Sequence, residues 1–191
     1  MFVESYLSRG GVHRLPKYAG FIRTSMIPIA LKSLLVLLPM FAGYSAEAYQ
    51  IAGIVTRVID GDTVQLAVGD AEKSVRLLGI DAPEIRQDYG VESRAYLNKL
   101  VGSRNVQMEC IGSDRYKREI CKIVFKGADI NLRMINSGMA WHYKRYSGNQ
   151  SASDRLKYSK AEESAKVGRE GLWSQEIVVA PWDFRKKRAK K

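Results

Sequence analysis

Cysteine is scarce in this chain: Cys110 and Cys121 are the only two in 191 residues. Two thiols are too few for a disulfide scaffold, and their separate positions lack the grouping of a zinc site. Membrane-length apolar runs are missing as well. The run Ser33 to Gly43 is broken by Pro39 and falls short of the roughly 20 residues that cross a bilayer, which makes a retained anchor the weaker alternative. Internal repeats and low-complexity blocks are absent, so nothing competes with a single folded domain of ordinary size. Acidic residues are outnumbered, 20 against 31 Lys and Arg, for a formal net charge of +11. That excess favours a polyanionic partner, either nucleic acid or an anionic membrane, and composition does not choose between them.

What is present begins with a leader. Lys32 precedes the apolar run and Ala46-Glu47-Ala48 follows it, the pattern of a secretory signal with cleavage after Ala48. Residues 1–25 form a long basic lead-in, so Met26 is an alternative start. Without residues 1–48 the chain retains 26 basic and 18 acidic residues, +8, so the basic character belongs to the mature part too. The expected location is secreted or periplasmic, as a monomer with no stable membrane insertion after processing. The expected organisation is a leader over 1–48, a domain over 49–184, and a mobile basic tail over 185–191.

Hydrophobic alternation predicts strands over Gln50–Ile59, Thr63–Val68 and Ser74–Ile80, joined by turns at Asp60-Gly61 and Gly69-Asp70. Val106–Ile111 and Glu119–Phe125 have strand character around a polar turn. Across that pair Cys110 and Cys121 could face each other, as a disulfide in an oxidising compartment or as two small buried side chains. Helices are predicted over Tyr89–Val101, Asp129–Ser137 and Ala152–Val167, the last with Ser151 as cap and Gly168 as stop. Five strands and about three packed helices fit an α+β architecture, a small partly open barrel whose loops are suited to nucleic acid.

Chemistry concentrates in two loops. Asp60 and Asp62 lie at one strand end and Asp81 and Glu84 at another, an oxygen-rich cluster of the kind that hard divalent cations require. Asp62 and Asp81 are the candidate ligands, with the Ala82 carbonyl as a further oxygen and Asp60 behind them. Taken singly, each aspartate could simply end a strand or shape a turn. Arg76 shifts that balance, because a charged side chain inside an apolar strand needs a polar partner. Tyr116 and Arg118 occupy a second turn, Asp114-Arg115-Tyr116-Lys117-Arg118, where arginine's planar donor fork suits phosphate.

With these motifs assembled, the chain resembles the staphylococcal nuclease family. The likeness rests on Ile59-Asp60-Gly61-Asp62-Thr63, on Val75 to Glu84, on Tyr89 to Ser93, on Asp114 to Arg118, on Gly138-Met139-Ala140-Trp141 and on Gly168 to Trp173. It implies an OB-like five-stranded barrel and calcium-dependent hydrolysis of DNA and RNA leaving 3′-phosphate ends. It implies Ca2+ at Asp62, Asp81 and Ala82 with Asp60 in support, and catalytic roles for Arg76, Glu84 and Arg118. Arg115, Tyr116, Lys117, Tyr143 and Tyr146 are expected on the substrate side. Lys117 departs from the glycine usual in the family, so a positive φ there would strain the turn. The competing expectation is a noncatalytic nucleic-acid-binding domain of the same fold, which the intact set of charged residues argues against.

Overall fold

A computed structural model describes residues 48–189; the expected signal segment lies outside the described residues. The domain opens with an antiparallel meander of β1 (Tyr49–Asp60), β2 (Thr63–Val68) and β3 (Ala71–Leu77), followed by the two-residue β4 (Ile80–Asp81). Helix α1 (Gly90–Val101) leads to the hairpin of β5 (Asn105–Ser113) and β6 (Glu119–Phe125). The short β7 (Ala128–Asp129) runs into α2 (Ile130–Asn136), and β8 (Trp141–His142) pairs with β4. After a 3₁₀ turn over Lys144–Asn149 come α3 (Ala152–Val167), a second 3₁₀ turn over Gly171–Ser174, and α4 (Pro181–Ala189).

The sheet order is β3-β2-β1-β5-β6-β7, and β3 also pairs with β6 in parallel. That last pairing closes a five-stranded mixed barrel, where the sequence reading expected a partly open one. Closure leaves no free edge between β3 and β6. Alternation fills the barrel: Val106, Met108 and Cys110 of β5 face inward with Val64 and Leu66 of β2 and Val75 and Leu77 of β3. The two cysteines sit opposite each other in the β5–β6 register and form a disulfide.

Polar side chains fix the helices on the barrel. Asp129 caps α2 by accepting from Leu132 N at 2.9 Å, and Ser151 caps α3 by accepting from Asp154 N at 3.0 Å. Asn131 is fully buried; its Oδ1 accepts from Ile123 N at 3.1 Å, and its Nδ2 donates to Leu78 O at 3.0 Å. This amide ties α2 to β6 and to the segment that leads into β4.

One expectation is corrected. Residues 185–189 are not a mobile tail but the second half of α4, a fourth helix beyond the three predicted. Pro181 is preorganised for a helix start, Asp183 lies in the first turn, and Lys186, Lys187 and Arg188 lie in the last, which suits the helix dipole.

Candidate active site

The Asp60–Thr63 turn is pinned by what glycine permits. A Cβ on Gly61 would come within 1.8 Å of Ser93 Oγ, so the turn lies directly against α1. Asp60 Oδ1 accepts from Asp62 N at 3.0 Å and shapes the loop. Burial holds the Asp60 carboxyl above its ordinary range, outweighing the opposite pull of Arg76, Thr63 and Arg118.

Asp62 and Asp81 are buried, at 1% and 0% exposure, and neither stands alone. In β3, Val75 and Leu77 face the core, so Arg76 projects to the opposite side. There its Nη1 binds Asp62 Oδ1 and its Nη2 binds Asp81 Oδ1 at 2.7 Å. The second oxygen of Asp62 accepts from Ala82 N at 2.6 Å, which fastens the first loop to the second. One guanidinium thus gathers two carboxylates that are nineteen residues apart in the sequence.

Glu84 reaches the same centre through a residue the sequence reading placed elsewhere. Arg185 of α4 donates from Nη2 to Asp81 Oδ2 at 2.7 Å and from Nη1 to Asp81 Oδ1 at 3.1 Å and to Glu84 Oε1 at 2.8 Å. These bonds, Asp81 foremost, raise the Arg185 pKa, so its charge is fixed. Gly90 holds the Glu84 loop close: a Cβ there would fall 1.9 Å from the Glu84 carbonyl oxygen.

The donors present are oxygens, which suits a hard divalent cation such as calcium. Among the described residues no three His, Cys, Asp or Glu side chains form a ready-made cage. Asp62, Asp81 and the Ala82 carbonyl are the oxygens that could hold such a cation, and here the two carboxylates are matched by Arg76 and, at Asp81, by Arg185 as well.

Arg118 lies on the β5–β6 turn and is clamped by Asp114, with Nε to Oδ2 at 2.9 Å and Nη2 to Oδ2 at 2.7 Å. Burial alone would raise the Asp114 carboxyl, but the bonds from Arg118 and Tyr116 hold it below its usual range. Tyr116 is 63% exposed, its hydroxyl accepts from Arg115 at 2.6 Å, and both Arg115 and Arg118 lie over its ring. Lys117 has φ of 62°, a left-handed conformation that favours glycine. Arg118 nevertheless keeps its clamp. Lys117→Gly is expected to raise stability by about 1 kcal/mol, because a side chain in left-handed geometry costs about that much. Equilibrium denaturant unfolding checks it, and an unchanged or lower midpoint rejects strain at this turn.

Tyr143 and Tyr146 form a second aromatic group after β8, with ring centroids 5.5 Å apart. It adjoins the carboxylates through the backbone: Tyr143 N donates to Gly79 O at 2.9 Å, and Trp141 pairs with Asp81 across β4 and β8.

Comparison with known proteins identifies the family. The family model described as staphylococcal nuclease homologue matches residues 74–175. A Haemophilus influenzae protein named as an uncharacterized endonuclease is 36% identical over 159 residues, covering 83% of this chain and 85% of its own. A protein of Oryza sativa subsp. japonica named as a probable staphylococcal-like nuclease is 39% identical over 116 residues, 61% of this chain and 22% of that much longer one. The Escherichia coli protein ParB is 35% identical over 146 residues, 72% of this chain and 80% of its own.

Proposed function

The chain belongs to the staphylococcal nuclease family and is a nuclease, and we propose that it is a calcium-dependent endonuclease that cleaves both DNA and RNA to leave 3′-phosphate ends. The observation that carries this reading is the Arg76 bridge, which assembles Asp62 and Asp81 into one buried oxygen-rich centre beside Glu84. Calcium held by Asp62, Asp81 and the Ala82 carbonyl, with Asp60 behind them, would draw charge from a non-bridging phosphate oxygen.

The chain's own residues do the rest. Arg76, one-fifth exposed at its side chain and held by both carboxylates, brings a permanent positive charge to an incoming phosphate. Arg118, anchored by Asp114, offers a second permanent charge as the phosphorus centre becomes more negative. Glu84, about one-third exposed, accepts the proton of the attacking water. Arg185 holds Glu84 by one oxygen, which orients the carboxylate without exhausting its acceptor capacity. Neither arginine on the phosphate is assigned as the leaving-group acid, because guanidinium stays protonated.

Export to an oxidising compartment is part of the same proposal, supported by the leader's composition and by the Cys110–Cys121 disulfide. No described helix is long and apolar enough to cross a membrane. Purified protein is expected to degrade single-stranded DNA and RNA, to stop in a calcium chelator, and to resume when calcium is restored. Its products should resist polymerase extension until a phosphatase treats them. Undiminished cleavage in excess chelator removes the calcium assignment, and directly extendable products remove the 3′-phosphate one.

A further inference from the structure

Beside the carboxylate centre, a groove of about 340 Å³ runs between β8, α3 and α4. Trp141 and Tyr143 line one side, Trp182 and Lys186 of α4 another, and Lys144 and Lys166 complete it. Its volume falls within the usual range of ligand clefts, roughly 300–1,000 Å³. We propose that this groove is a subsite for an unpaired nucleotide of the strand flanking the scissile phosphate, a base resting on the Trp182–Tyr143 surface and the adjoining backbone on Lys144 and Lys186. The inference rests on the nuclease reading above and extends it to α3 and α4.

Charge is the first support. Four cations line the groove, Arg145 being the fourth, against one carboxylate, Glu162. Glu162 is already shared by Lys144 at 2.8 Å and Lys166 at 3.1 Å. Burial would raise its pKa, yet the bonds from these two lysines hold it low, so it stays anionic and consumes one positive charge. Asp183, 3.3 Å from Lys186, offsets a second, and the remaining cations leave an excess of positive charge for phosphate.

The aromatic rings supply the second. Trp182 packs on Trp141 with centroids 5.3 Å apart and on Tyr143 at 5.6 Å. Trp141, Tyr143 and Trp182 are all half-buried, so each is fixed by its neighbours while part of its surface stays open. Fixed, partly open rings interleaved with lysines are the elements of single-strand binding, because every base has a stackable face. A paired duplex keeps its bases stacked on one another and gains little from such rings.

Position is the third. Trp182 precedes Arg185 by one helical turn, and Arg185 holds Asp81 and Glu84. Trp141 is Asp81's partner across β4 and β8. A strand with one phosphate at Arg76 therefore has this groove as its adjoining surface.

The test compares Lys144→Gln with Lys186→Gln, combined in one protein, and Trp182→Ala separately, against the parent. Affinity for a short oligothymidylate and for a duplex of equal length is measured by fluorescence anisotropy in calcium with the cleavage-blocking Glu84→Gln change present throughout. Both lysines are exposed, Lys166 still pairs with Glu162 once Lys144 is changed, and thermal unfolding checks that the double variant is folded. Its affinity for the single strand should fall at least tenfold, and the slope of log affinity against log salt should drop by about 0.7 for each lysine removed. Trp182→Ala should lose roughly 5- to 150-fold for the single strand, the usual worth of one stacked base. Duplex affinity should change much less in both.

Unchanged single-strand affinity and salt slope in the folded lysine variant overturn the subsite, as do equal losses for duplex and single strand. Equal competition by polyglutamate of matched charge also overturns it, in favour of an acidic protein partner. A parent protein that cleaves no nucleic acid in calcium instead sinks the nuclease reading itself.

Discussion

Glu84→Gln is expected to lower single-turnover cleavage by about 10²–10⁴-fold, the usual contribution of a positioned general base, with calcium still strengthening the binding of a nucleotide product analogue. The substitution isolates basicity. Glutamine keeps an oxygen for Arg185, so the contact that places α4 at the site survives. Asp62→Asn should behave differently. Asp62 Oδ1 receives Arg76 and Thr63, and Oδ2 receives Ala82 N at 2.6 Å, so both oxygens face donors. An amide must turn its own N–H groups toward one of them. We therefore expect Asp62→Asn to weaken calcium binding and also to lower stability by about 1–3 kcal/mol, the penalty of a frustrated buried polar group. Calorimetric calcium affinity, analogue affinity and cleavage measured on one folded preparation separate the two. Near-parental cleavage by Glu84→Gln at saturating calcium would defeat the general base, and loss of calcium binding in that variant would move Glu84 among the metal ligands.

Replacing both Cys110 and Cys121 with alanine is expected to lower stability by about 3 kcal/mol, because the bridge restricts the unfolded chain and both residues lie wholly inside the barrel. The loss should appear as a lower denaturant midpoint with cleavage retained under native conditions. Reductant should impose a comparable loss on the parent and none on the double variant. A parent whose unfolding midpoint ignores reductant would show that the bridge contributes nothing to stability.

Much of this architecture was legible in the sequence because its signals are local. Helix α3 has the bounds that Ser151 and Gly168 announce, and β2 and β6 have the bounds that their alternation gives. Arg76 stood out because a charge inside an apolar strand demands a partner, and the structure supplies two. Closure of the barrel was harder to read, since a parallel β3–β6 pairing joins strands forty-odd residues apart and leaves no mark on either. Asn131 gave no signal either: an asparagine in a short helix is ordinary until three backbone partners converge on it. Arg185 was misread for a definite reason. The last seven residues hold no apolar position that needs burial, so periodicity offered no cause for order. What orders residue 185 is a pair of carboxylates.

Arg185 is 101 residues from Glu84 and 104 from Asp81. A chain that is synthesised or exported from its N-terminus presents β1 to β6 well before it presents α4. During that interval Asp81 can be matched by Arg76, while the counter-charge for Glu84 has not yet emerged. The centre thus reaches its final charge balance only as α4 arrives. A polypeptide stopped short of residue 185 carries Asp81 and Glu84 without that counter-charge, so the electrostatics of the centre depend on a helix made long after the loops it serves.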